Sequence, residues 1–305
     1  MPHRKRLDLP WRAPATFLGL EGEEQELSSA RAVVLPVPYE ATTSYGGGTR
    51  GGPDAILAAS RFVELYDEEL EGEPSQVGIH TLPALELTRE GSSSAMEELE
   101  AACARLLENL EDRFLVLLGG EHALSGPAIR AHANRLDRRL SVLQLDAHAD
   151  LRDGYEGAPW SHASFAYRTL DVADYVQVGL RGVSSEEVAV LEGEKGRGIT
   201  AIWAREMWED DGWMDRALEA LDDPVYITVD VDYFDPSLVP STGTPEPGGG
   251  DWYRTLRFLR RVFRERTVVG CDVVELAPVP GLRAPDFLAA KLVYKLIGYR
   301  FQEEL

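Results

Sequence analysis

The sequence predicts an α/β protein, a parallel sheet covered by helices on both faces. Two regularities carry that expectation. Short apolar runs rich in Val, Leu and Ile are bounded by turn residues and alternate with helical segments, and several of these runs lead straight into acidic or histidine residues. The first strand is expected at Ala30–Pro38 (ARAVVLPVP), ended by prolines. A glycine-rich loop, Ser44–Pro53, follows. Pro53, placed in a first turn, opens a predicted helix over Asp54–Tyr66 with apolar positions at Ile56, Leu57, Phe62 and Leu65. Glu97–Glu111 reads as a second, amphipathic helix. Strand Phe114–Leu118 leads to a helix from Gly126, and strands Ser141–Leu145 and Tyr175–Leu180 lead to an acidic helix beginning at Ser184. Strands Val225–Val229 and Val268–Val274 flank an Arg-rich helix, Asp251–Arg266, and a helix over Asp286–Tyr299 closes the chain. No internal repeat or low-complexity linker divides it. Residues 31–305 therefore read as one domain behind an irregular arm, 1–30, with Pro10, Pro14 and an acidic patch from Glu21 to Glu26.

Composition is that of a globular chain: 305 residues, 44% hydrophobic and 27% charged. With 31 Lys and Arg against 52 Asp and Glu, the formal charge is -21. That balance argues against nucleic acid as a partner, because phosphate binding needs a basic surface. It suits a cationic substrate, whose approach an acidic protein accelerates, and it equally serves solubility alone. Cys103 and Cys271 lie far apart in apolar stretches and read as reduced core residues. The start, MPHRKRLDLPWRAP, lacks the apolar run of a signal peptide. No apolar run approaches the roughly 20 residues that span a bilayer. Together these predict a cytoplasmic protein with no membrane contact.

Four predicted strands carry chemistry at their C-terminal ends. FLVLL leads to Glu121-His122, SVLQL to Asp146-Ala147-His148-Ala149-Asp150, VYITV to Asp230-Val231-Asp232, and VVGCDVV to Glu275. Ligands of open parallel sheets bind outside those strand ends. In extended chain, positions i, i+2 and i+4 face one side, so Asp146, His148 and Asp150 are expected to converge, as are Asp230 and Asp232. Singly, His122 reads as a packed core histidine and a DxD as a turn. Jointly, with His122, they assemble four carboxylates and two imidazoles. Four carboxylates in one apolar crevice repel each other unless cations neutralise them. Two divalent ions would do so and would activate water at neutral pH. Oxygen and imidazole donors suit Mn²⁺, and the lack of a nearby thiolate argues against structural zinc. Of the 6 histidines, His162 also falls just beyond an acidic cluster, whereas His3, His80 and His132 read as surface or packing residues.

These residues resemble the ureohydrolases: arginases, agmatinases and their relatives. The matching segments are GGEHALSGP (119–127), DAHADLR (146–152), SHAS (161–164) and VDVDYFDPSLVPSTGTPEPGG (229–249), supported by GTRGGPDAI (48–56), QVGLRG (177–182) and DVVELAP (272–278). The resemblance runs from about residue 30 to the end. It implies a three-layer α/β/α fold with an eight-stranded, mostly parallel sheet, two Mn²⁺ per subunit, and hydrolysis of a guanidine to urea and an amine. It implies that His122 and Asp150 bind one ion and His148 and Asp232 the other, with Asp146 and Asp230 shared. It further implies a trimer or hexamer. His162 resembles the family histidine that moves protons to the leaving amine, a task its ordinary pKa near 6.5 suits. Glu275 matches the carboxylate that pairs with the substrate guanidinium; its alternative is a buried Glu serving a structural Arg. Two positions depart from the pattern. Glu121 replaces Asp, which bears on its hydrogen bonding, and Ala163 replaces Gly, which bears on the width of the channel.

The loop after DAHADLR carries Arg152 where arginases have Asn, and it has no polar set for an amino-acid head group. TGTPEPGG, with Glu246, and GTRGGP look more like agmatinases, and Asp153 and Glu156 would form an acidic mouth for a distal ammonium. Agmatine is therefore the expected substrate, cleaved to urea and putrescine, with Arg152 and Glu246 as substrate contacts. Aminopropylagmatine (from the SHAS variant and the last helix), guanidinobutyrate (through Arg152) and arginine are the alternatives. Metallophosphoesterases would need GNH and GHxH, which are absent. Deacetylases of this fold use one zinc with fewer ligands, and a non-catalytic homologue would have lost a ligand.

Overall fold

The computed structural model describes residues 15–305. Its single sheet has strands β1 Ala32–Val37, β2 Ile79–Thr81, β3 Phe114–Gly119, β4 Leu140–Leu145, β5 Ala173–Leu180, β6 Ile199–Trp203, β7 Val225–Asp230 and β8 Val268–Val274. Their order is β2-β1-β3-β8-β7-β4-β5-β6, and every pair is parallel. The helices are α1 Gly52–Ser60, α2 Ser92–Leu110, α3 Ser125–Leu136, α4 Phe165–Thr169, α5 Ser185–Glu192, α6 Ala204–Glu209, α7 Gly212–Ala220, α8 Trp252–Glu265 and α9 Ala284–Arg300.

Strand residues alternate between two cores, one on each face of the sheet. Ala32, Val34 and Val116 pack with Leu57 of α1, Phe258 of α8 and Leu292 of α9. Val33, Leu35 and Leu117 face the other way, onto Leu99 and Cys103 of α2 and Ile129 of α3. Both faces are covered, so both sets are apolar and the strands read as continuous hydrophobic runs. Cys103 and Cys271 are free and buried, as expected. Among the described residues no helix is long and apolar enough to cross a membrane.

The differences from expectation have local causes. β2 and β6, the two edge strands, are absent from the expected elements. β2 is three residues long and β6 is only half-buried, so neither shows a full apolar run. α1 stops at Ser60, short of the predicted Tyr66. There the Ser60 hydroxyl accepts the Leu18 N–H and donates to the Leu57 carbonyl, a tertiary contact that holds the chain as it leaves the helix. Phe62, assigned to the apolar face, is 77% exposed. Of the expected arm, residues 15–30 form 3₁₀ turns at Phe17–Gly19 and Gly22–Gln25, and Phe17, Leu18 and Leu20 join the core. Pro10, Pro14 and His3 lie outside the described residues.

Candidate active site

β3, β8, β7 and β4 are consecutive in the sheet, although β4 precedes β7 in the chain. That order brings residues from His122 to Glu275 to one rim. Just beneath the rim, register aligns a buried polar row: Asp272 pairs with Thr228, Thr228 with Gln144, and Gln144 with Gln177. Residues paired across parallel strands share a face. This row bonds upward. Gln144 Nε2 donates to Asp146 Oδ2 at 2.8 Å, and Gln177 Nε2 donates to Gln144 Oε1 at 2.8 Å. Thr228 Oγ1 donates to Asp272 Oδ1 at 2.6 Å, which leaves its lone pairs for His122 Nε2–H at 2.8 Å. The network thereby makes Nε2 a donor and leaves Nδ1 as the atom aimed at the carboxylates.

His122 Nδ1 is buried and has no hydrogen-bond partner. It faces Asp146 Oδ2 at 3.1 Å, Asp150 Oδ2 at 3.2 Å and Asp230 Oδ2 at 3.2 Å. His148 Nδ1 lies 2.9 Å from Asp232 Oδ2 and 3.6 Å from Asp146 Oδ1. Two groups thus offer ligand atoms around a common point, His122-Asp146-Asp150 and Asp146-His148-Asp232, sharing Asp146. Backbone N–H groups hold the opposite oxygens of three carboxylates. His148 N donates to Asp146 Oδ1 at 2.6 Å, Asp232 N to Asp230 Oδ1 at 2.8 Å, and Ala147 N to Asp232 Oδ1 at 3.0 Å. Each therefore presents its other oxygen to an imidazole.

A neutral Nδ1 among carboxylate oxygens is repulsive unless positive charge lies between them. Without a metal that charge is a proton: burial opposes it, but Asp146, Asp150 and Asp230 outweigh burial and raise His122 well above its ordinary value. Burial, with the Asp146 charge, pushes Asp150 up to about 7. Burial, with Asp232 and Asp146, raises Asp230 well above the usual carboxylate range. For His148, burial opposes charge, yet Asp232 and Asp146 push it up to about 12. The cluster's oxygen and imidazole donors fit divalent metal ions, which would displace those protons on binding.

Above the cluster opens a cavity of about 370 Å³ whose walls include His162, Glu275, Glu246, Arg152 and Tyr155. Glu275 is buried; its Oε1 accepts the His122 N–H at 2.6 Å, and among the described residues no Arg or Lys pairs with it. His162 is half-buried in the wall.

A family profile, that of the arginase family, matches residues 30–298. The chain belongs to the arginase family. It is 39% identical over 277 residues to an N(1)-aminopropylagmatine ureohydrolase of Synechocystis sp., across 89% of this chain and 90% of that protein. It is 30% identical over 283 residues to an agmatinase of Pyrococcus horikoshii, across 90% and 93% of the two chains. The crystal structure of agmatine ureohydrolase of Thermoplasma volcanium matches with a TM-score of 0.82 at 28% identity, over 92% of this chain and 93% of that one. As an arginase-family enzyme the chain is a ureohydrolase, and its all-parallel eight-stranded sheet is the family fold.

The six expected ligand residues come together, but not by the expected route. β4 ends at Leu145, and beyond it His148 makes a single parallel bridge to Gly182 before the chain leaves the extended conformation at Asp150. Asp150 reaches the cluster because it turns back at φ 53, and Glu275 similarly takes φ 65. Such left-handed conformations are costly for side-chain-bearing residues and gather at functional sites in folded proteins. The ring of His148 packs on Gly182, where a Cβ would lie 2.8 Å from its Nε2. The expected acidic mouth does not form. Asp153 is paired with Arg168 at 2.6 Å, and neither it nor Glu156 lines the cavity. Arg152 is engaged, 3.8 Å from Glu187 and 5.1 Å above the Tyr155 ring. Burial is the largest cause that lowers His162 to about 4, so it stays neutral well below its ordinary titration range. Glu121 turns away from the cluster, toward residues 41–42. Ala163 lines the cavity, and its carbonyl accepts the Arg152 N–H.

Thr228, Gln144 and Asp272 were missed by the sequence reading. A signal existed: each is a polar residue inside an apolar strand, and Gln144 and Thr228 stand two positions before Asp146 and Asp230, on the same strand face. Thr42, which contacts His162, carries no such mark.

Proposed function

We propose that the chain hydrolyses N1-aminopropylagmatine at a pair of Mn²⁺ ions, releasing urea and the corresponding triamine. The observation that carries the reading is the buried Nδ1 of His122 facing three carboxylate oxygens at the floor of the cavity. In this reading His122 and Asp150 would hold one ion and His148 and Asp232 the other, and Asp146 and Asp230 would serve both. When bound, the ions supply the Lewis acidity that makes water nucleophilic at neutral pH.

The chain's own groups do the rest. Glu275 Oε1 is occupied by the His122 N–H, which leaves Oε2 to accept from the planar guanidinium and hold its carbon over the cluster. His162, neutral and hydrogen-bonded, carries a proton between the attacking water and the departing amine. Glu246 lines the cavity with no salt-bridge partner among the described residues, which supports the reading that it meets an ammonium of a polyamine tail. Arg152 is neutralised by Glu187, which weakens the case for a carboxylate-bearing substrate such as guanidinobutyrate.

Aminopropylagmatine is preferred because the relative bearing that activity in its name is 39% identical, against 30% for the named agmatinase. Agmatine is the second reading, favoured by the TGTPEPGG loop that carries Glu246. Urea release is to be measured with both, and with arginine and guanidinobutyrate, on Mn²⁺-loaded protein. The expected result is the highest kcat/KM with aminopropylagmatine, and a Glu246→Gln variant with raised KM and little change in kcat. A higher kcat/KM for agmatine would transfer the assignment to it, and no urea from any of the four would refute the function.

A further inference from the structure

The groups behind His162 form a chain. Glu121 is fully buried and, among the described residues, pairs with no Lys or Arg. Its Oε2 accepts the N–H groups of Ala41 at 2.6 Å and Thr42 at 2.7 Å, and its Oε1 accepts Thr42 Oγ1–H at 2.8 Å. Both carboxylate oxygens are thus spent on two consecutive loop residues after β1. Thr42 Oγ1 in turn accepts the His162 N–H at 3.1 Å and stands 3.3 Å from His162 Nδ1. The edge of the Tyr155 ring meets the imidazole from another side, with centroids 5.4 Å apart.

We propose that Thr42, anchored by Glu121, is the positioning residue of His162, fixing both the direction of its ring and its tautomer. A threonine hydroxyl has one proton and two lone pairs. With the proton given to Glu121 Oε1, Oγ1 can only accept from His162, so Nδ1 carries the hydrogen and Nε2 keeps the lone pair. Nε2 lies on the side of Ser44 Oγ, 3.4 Å away, and Ser44 also lines the cavity. The ring is therefore held with its basic nitrogen on the side where a proton has to be taken up. The glutamate that departs from the family pattern at position 121 is the group that ties this loop down.

The inference rests on the reading of His162 as the proton carrier, and the test separates the two. Thr42→Val, Thr42→Ser, Glu121→Gln, His162→Ala and the double variant Thr42→Val/His162→Ala are compared in urea release, with bound Mn²⁺ and thermal midpoint measured alongside. Thr42→Val is expected to lower kcat by roughly tenfold or more with KM and Mn²⁺ content little changed, since a misdirected acid–base group forfeits much of its contribution. Thr42→Ser, which keeps the hydroxyl, is expected to restore most of that rate. Glu121→Gln should lower kcat in the same direction, which keeps the test informative if Thr42→Val fails to fold. In the His162→Ala background Thr42→Val should add nothing. An unchanged kcat in both Thr42→Val and Glu121→Gln, or losses that multiply in the double variant, would overturn the positioning role while leaving His162 in place. A His162→Ala variant with wild-type kcat would overturn the proton-carrier reading and the inference together.

Discussion

Replacing Thr228 by Val tests how the sheet sets the metal ligands. Valine keeps the shape and β-branching of threonine, so it opens no cavity in a fully buried strand position. It removes one oxygen that serves three groups: it accepts from His122 Nε2–H at 2.8 Å, donates to Asp272 Oδ1 at 2.6 Å and stands 3.2 Å from Ser125 Oγ. A buried donor left without an acceptor costs about 1–3 kcal/mol. Loss of the partner that orients a ligating histidine costs about 10–100-fold in metal affinity, which is about 1.4–2.8 kcal/mol at tenfold per 1.4. The first cost falls on the fold with or without metal, and the second is the change in metal binding. Mn²⁺ affinity measured by competition with a chelator should fall by that factor. Tyr226→Phe is the control: it removes another donor to Asp272, 2.9 Å away, without touching His122. It should lower the denaturant midpoint of the metal-free protein and leave Mn²⁺ affinity within about twofold. If Thr228→Val also left Mn²⁺ affinity within about twofold of wild type, the claim that strand register orients His122 would be wrong.

Asp232→Ala removes the carboxylate 2.9 Å from His148 Nδ1, and it should lower bound Mn²⁺ by elemental analysis and abolish urea release. Gly120→Ala places a Cβ against the Tyr39 carbonyl oxygen where β3 ends, and overpacking of this kind should cost about 1–3 kcal/mol in urea denaturation. Lys295→Met strands Asp67, which is fully buried and 2.8 Å from Lys295 Nζ. The loss should be about 3 kcal/mol, the low end for a broken buried pair, because Lys291 remains 3.6 Å away. The same pair predicts a pH effect. Burial acts to raise Asp67, but Lys295 holds it below its ordinary value. Its contribution is therefore complete above the unfolded pKa near 3.9 and is lost as pH falls through the lower folded value. In Lys295→Met the acid limb of the stability curve should move to higher pH, which is read from thermal midpoints between pH 3 and 7; an unmoved limb would exclude the pairing as its cause.

The fold class was legible in the chain because runs such as FLVLL and VYITV are buried on both faces and show as uninterrupted apolar segments. The edge strands β2 and β6 were not, because a half-exposed or three-residue strand carries no such signal. Among the site residues, the ligand set was legible because the acidic and histidine residues sit directly after apolar runs. The disposition of the walls was not. Asp153 and Arg152 each have a charged partner remote in the chain, Arg168 and Glu187, and only the folded loop shows that neither charge is free.

The amino-acid order alone determined which side chains stand at the ends of the central strands, since local periodicity marks strands and the residues that follow them. Tertiary structure decided how they meet. The strand order sets β4 beside β7, cross-strand register lines Asp272, Thr228 and Gln144 beneath the ligands, and left-handed turns at Asp150 and Glu275 aim two carboxylates inward. Each of these depends on contacts between residues far apart in sequence, and such contacts leave no periodic trace in the chain that makes them.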